Sequence, residues 1–112
     1  MEVRAVRSHE APSRHSLILV PGDQVEIGER STEWPAFVFV TAGPGEGWVP
    51  ERHFTAERPV AVTIERYDTV ELPVSAGELL TVTARDDESG WWWCQDQSGL
   101  AGWVPVDVLE IA

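Results

Sequence analysis

Short apolar bursts rich in Val, Ile, Leu, Phe and Trp run along this chain, separated by clusters of Gly, Pro, Asp, Glu and Ser at intervals near ten residues. That spacing is the punctuation of an all-β fold rather than of helices. No window carries a helical apolar period, and Pro12, Pro21, Pro35, Pro44 and Pro50 would interrupt any long helix. The pattern predicts strands at 3–7, 17–20, 24–29, 36–41 and 46–49, and again at 60–64, 72–74, 78–85, 91–96 and 101–104. Reversals are expected at Ala42 to Gly45, Ser75 to Gly77, Asp86 to Gly90 and Gln97 to Gly99, where turn-forming residues gather.

The two strand sets are copies of one plan. Leu17 to Asp23 falls over Leu72 to Glu78, each a short strand entering a Gly-acid turn, and Phe37 to Val40 falls over Trp91 to Cys94. Gly47-Trp48-Val49-Pro50 recurs word for word as Gly102-Trp103-Val104-Pro105, 55 positions later. Registered features in the same order mark an internal duplication. The expected organisation is two domains, 1–56 and 59–112, joined by the short linker Thr55 to Pro59. Five short strands in about 55 residues favour a small rolled barrel, which covers both faces and the edges. A domain of about 60 residues buries only about 60% of its unfolded surface, so packing of the two halves together would help both.

Composition narrows the range of partners. With 43% hydrophobic and 24% charged residues the chain can build a packed core. Its net charge of −11 repels phosphate backbones and makes nucleic acids and anionic membranes poor partners. The charge is uneven: residues 1–56 carry −3 and residues 57–112 carry −8, so a basic ligand is expected at the second half. The longest apolar run, Leu17 to Pro21, is far shorter than a membrane span. Without an apolar leader, and with Cys94 as the single cysteine, a cytoplasmic location is expected.

The run Glu71 to Glu78, then Gly90-Trp91-Trp92-Trp93-Cys94, then Gly99 to Pro105 resembles an SH3 domain. Glu33 to Val40 with Gly47 to Pro50 resembles the first copy of bacterial tandem SH3-like proteins. The resemblance implies two tandem SH3-like β-barrels packed together. It also implies a peptide groove built from Trp91, Trp103 and Pro105, with Phe37, Trp48 and Pro50 in the matching places of the first copy. The pattern departs from the family where groove tyrosines are expected: Ala5 to His9 and Ala61 to Glu65 lack them, and His53 and Val108 replace the C-terminal one. Tyr67 and Asp68 stand in the second RT-like loop as partial substitutes, with Glu71 and Asp87 available to a ligand Arg or Lys. His9 and His53 take groove positions of the first copy, where, if they converge, they would sense pH or hold a metal weakly.

Strand alternation puts Trp91 and Trp93 on one side and Trp92 and Cys94 on the other. A flat indole with an N–H suits extended, proline-rich ligands, yet Trp34, Trp91 or Trp93 could equally be consumed by a seam between domains. No HExxH, GxSxG, P-loop or paired CxxC motif occurs, so neither catalysis, a cofactor nor a structural metal is expected. Two readings remain: a non-catalytic module that binds a peptide or partner protein, or an assembly protein whose aromatic faces are buried between barrels or subunits.

Overall fold

The computed structural model describes residues 1–12 and 16–112. Its strands, in chain order, are β1 (Glu2–Ala5), β2 (Ile18–Leu19), β3 (Gln24–Arg30), β4 (Phe37–Ala42), β5 (Gly45–Pro50), β6 (Val60–Val62), β7 (Tyr67–Asp68), β8 (Leu79–Asp86), β9 (Trp91–Gln95), β10 (Ala101–Pro105) and β11 (Leu109–Ile111). Single 3-10 turns at Glu51–His53 and Val106–Val108 follow β5 and β10. The fold is all-β, as the alternation required. Most predicted strands lie within a residue or two of their expected ends. The stretch 72–74 contributes one isolated bridge, from Val74 to His9, rather than a strand, and β7 and β11 were not anticipated.

Two compact units divide the chain, but not at the linear boundaries 1–56 and 59–112. One, the central unit, is Arg14–Thr69; the other, the composite unit, joins Met1–Ser13 to Val70–Ala112. In the composite unit a sheet runs β10-β9-β8-β1-β11, and in the central unit one runs β5-β4-β3-β6, with β2 paired to β7. The ladders are open orders rather than closed rolls among the described residues.

The division follows from an exchange of leading strands between the two copies. β1 pairs with β8 through Val3↔Leu80, whereas β6 pairs with β3 through Ala61↔Val25. The turns that precede β3 and β8 seize these strands in the same way. Gly22 N–H donates to Thr63 O at 2.8 Å and Thr63 N–H to Asp23 O at 2.8 Å; Gly77 N–H donates to Ala5 O at 2.7 Å and Ala5 N–H to Glu78 O at 2.9 Å. Gly22 and Gly77 adopt φ of 98° and 92°, a region open to glycine and strained for other residues. The acid after each glycine closes its turn: Asp23 Oδ2 accepts from Val20 N–H at 2.9 Å and Glu78 Oε1 from Ser75 N–H at 3.0 Å.

Each unit has its own apolar interior. In the composite unit Val3, Ala5, Leu72, Val74, Leu80, Val82, Cys94, Val104 and Val108 form one buried cluster against which Trp92 and Leu109 pack. In the central unit Leu19, Val25, Val40, Val49 and Ala61 are buried. Even the irregularities repeat: the register slips between Ile27 and Arg30 in β3 and between Val82 and Ala84 in β8, adding local twist to each long strand.

Candidate functional site

Antiparallel pairing of β9 with β10 sets the aromatic surface of the composite unit, matching Pro105 with Trp91, Val104 with Trp92 and Trp103 with Trp93. Alternation sends Trp92 and Cys94 toward the buried cluster and leaves Trp91 and Trp93 on the opposite face. There Trp93 and Trp103, both half-buried, meet edge to face with centroids 5.2 Å apart. Such a pair is worth about 1 kcal/mol beyond its burial. Trp91 is buried to 9% exposure, and Pro105 is buried as well, so neither offers a wide open face. The ring of His9 stands edge-on to Trp91 at 5.4 Å, and its Nε2 lies 2.9 Å from Glu71 Oε1. A carboxylate only accepts, so this contact puts the proton on Nε2. Glu71 in turn bridges to Trp103 through the backbone, which ties His9, Glu71, Trp91 and Trp103 into one group.

The central unit repeats the arrangement with different residues. Phe39 and Trp48, paired across β4 and β5, meet edge to face at 5.0 Å. Phe37 and Pro50 are buried. Tyr67 takes the place that His9 has in the composite unit: it pairs with Leu19 as His9 bridges Val74. Its ring meets His53 edge to face at 4.9 Å, and His53 Nδ1 donates to Glu65 O at 2.9 Å. Trp34 is half-buried, its backbone N–H bonded to Ser31 Oγ and its indole N–H to Glu33.

Several expected assignments therefore move. The resemblance put His9 and His53 at groove positions of the first copy, but His9 completes the unit built on the second copy, while His53 belongs to the central unit. Tyr67 and Asp68, expected in an RT-like loop of the second domain, lie in β7 paired to β2. Exchange of the leading strands accounts for both corrections. Asp87 is exposed and already engaged: it accepts from Trp92 Nε1 at 2.9 Å and pairs with Arg85 at 3.1 Å. The Trp92 hydrogen bond first, and the Arg85 guanidinium second, hold its carboxyl below the usual aspartate range. Arg85 also lies 4.9 Å over the Trp92 ring. Trp92 was not singled out from sequence, although alternation against Cys94 had separated it from its neighbours.

Among the described residues no group of His, Cys, Asp and Glu is arranged to hold a metal ion, and no helix is long and apolar enough to cross a membrane. His15 lies outside the described residues. Cys94 is fully buried, and burial pushes its thiol up to about 11. Thiolate is the reactive form, so Cys94 is expected to ignore a disulfide reagent at pH 8 until denaturant opens the unit. Stoichiometric labelling of native protein within minutes would contradict this placement.

Residues 60–112 match the variant SH3 domain family. That stretch of the chain is thus similar to a single variant SH3 domain. The match follows the linear second copy and so takes in β6 and β7, which pair within the central unit. Neither the curated proteins nor the solved structures contain a match to this chain.

Proposed function

We propose that the chain is a non-catalytic binding module of two SH3-like units, and that the composite unit recognises an extended peptide or a partner protein. The observation that carries this reading is the half-exposed Trp93–Trp103 pair adjoining Glu71. It combines a ridged apolar surface with an acid fixed by His9. Such a surface accepts a proline-rich segment along the indoles and a basic side chain at the carboxylate. The net charge of the composite unit, three basic against ten acidic residues over 1–13 and 70–112, favours the basic partner. The burial of Trp91 and Phe37 supports a second reading, in which these two rings serve packing and assembly while ligand contact falls to their outer neighbours.

Titration of the whole chain with proline-rich peptides, with and without an arginine, tests the proposal through the six indole N–H resonances. Trp93 and Trp103 are expected to move together, with the arginine-bearing peptide binding more tightly. Trp93→Thr should weaken binding by tenfold or more, since aromatic anchors at such surfaces are worth about 2 kcal/mol or above. Silence at both indoles across the peptide set would sink the reading.

A further inference from the structure

A second recess opens elsewhere on the composite unit, away from the Trp93–Trp103 pair. It encloses about 200 Å³ and is lined by Val3, Trp92, Val106, Leu109, Glu110 and Ile111. Every lining residue except Glu110 is apolar. Val3, fully buried, forms part of its floor, and Ile111, 66% exposed, stands at its outer margin. The Trp92 wall is held in place, since Arg85 covers its ring and Asp87 accepts its indole N–H. None of these residues was needed for the binding surface proposed above.

Two further observations say what fits there. β11 is the outermost strand of its sheet, and no strand pairs along its outer side among the described residues. Ala112 N–H donates inward to Glu2 O at 3.2 Å, and Val108 O accepts inward from Val6 N–H at 2.7 Å. The alternation of an antiparallel ladder then turns the backbone N–H and C=O of Ile111 outward, ready for an extended chain. The margin is also acidic. Glu110 belongs to the lining and is exposed, on the outer face of β11 with Arg4 opposite it, and the composite unit as a whole carries −7. An apolar recess beside unsatisfied strand backbone and fixed negative charge complements one kind of segment.

We infer that this recess is a second docking site, taking a bulky aliphatic or aromatic side chain from an extended basic segment of a partner protein that runs along β11. The apolar side chain fills the space between Trp92, Val106 and Leu109, and flanking Lys or Arg residues meet Glu110. The inference stands independently of the Trp93–Trp103 surface.

The test titrates the whole chain with acetyl-Lys-Lys-Leu-Lys-Lys-amide and follows the Trp92 indole and the methyl groups of Val106, Leu109 and Ile111. These signals are expected to shift together and to saturate. Replacing the peptide's Leu with Ser should weaken binding tenfold or more, because the apolar burial that fills the recess is lost. Glu110→Lys and Ile111→Arg both alter exposed positions that the core does not need. The first should weaken binding by roughly three- to tenfold and the second by tenfold or more. Equal binding of the Ser peptide would overturn the inference, as would unchanged binding by Glu110→Lys. Shifts at Trp93 and Trp103 with none at Trp92 would overturn it too, while leaving the proposed function intact. Self-association of the chain through β11 that excludes the peptide would assign the recess to a second copy instead.

Discussion

Val3→Asp is expected to unfold the unit that contains Trp91, Trp92, Trp93 and Trp103, and to spare the one that contains Trp34 and Trp48. Val3 lies 70 or more positions before most of the residues it packs with, fully buried among Leu72, Leu80, Cys94 and Val104. A carboxylate there would lose the valine's burial and bring in a charge without a partner. Together these cost upward of roughly 3 kcal/mol, a large share of the stability of a small unit. Ala61→Asp is the reciprocal experiment, since Ala61 is 1% exposed on β6 and pairs with Val25; it should release Trp34 and Trp48 first. Denaturant titrations followed by indole resonances check both. A chain closing in linear order would give the opposite assignment, with Val3→Asp disturbing Trp48, and that result would refute the strand exchange.

Gly102→Ala is expected to cost about 3 kcal/mol, while Gly47→Ala stays within about 1 kcal/mol of the parent protein. The two glycines open the identical Gly-Trp-Val-Pro segments, so sequence predicts equal sensitivity. Their surroundings differ. A Cβ on Gly102 would lie 2.7 Å from Leu72 N and 2.8 Å from the Glu71 carbonyl carbon, both backbone atoms. It would force apart the pair of bonds from Leu72 N–H to Trp103 O and from Trp103 N–H to Val70 O, each 3.0 Å. On Gly47 the nearest atoms are Thr69 Cγ2 at 3.1 Å and Thr69 Cβ at 3.3 Å, side-chain atoms that need yield by only a few tenths of an ångström. Thermal unfolding of the two variants measures the difference; equal losses would show that the approach of 71–72 to β10 is looser than described. The His9 and Trp103 resonances should also shift in Gly102→Ala, because Glu71 connects them.

Much of this plan was legible before any coordinates. The Gly-acid turns at Gly22 and Gly77, the long strands after them and the paired Gly-Trp-Val-Pro segments depend on local chemistry, and local chemistry is written in order along the chain. The same is true of the three consecutive tryptophans, whose alternation follows from strand geometry alone. The exchange of β1 and β6 was not legible. Both segments are short, and each presents two buried residues in alternation, Val3 and Ala5 in β1 and Ala61 with Thr63 in and just after β6. Such a pattern states which side faces a core without stating whose core it is. His9 and Tyr67 were misplaced for that reason. β11 was missed because Leu109 and Ile111 follow a 3-10 turn and offer too few residues for a periodic signal, and with β11 went the recess behind Trp92.

The exchanged strands also bear on how the molecule comes into being at the ribosome. Residues 14–69 emerge as an uninterrupted stretch, so the central unit can assemble as soon as β7 has cleared the exit tunnel. β1, although made before the central unit, has no neighbour until β8 appears and is not flanked on both sides until β11 follows. Contacts so distant in sequence are slow to form. β1 therefore stays unmatched while the whole of the central unit is being made, and Val3 and Ala5 are the residues that a chaperone would have to shield.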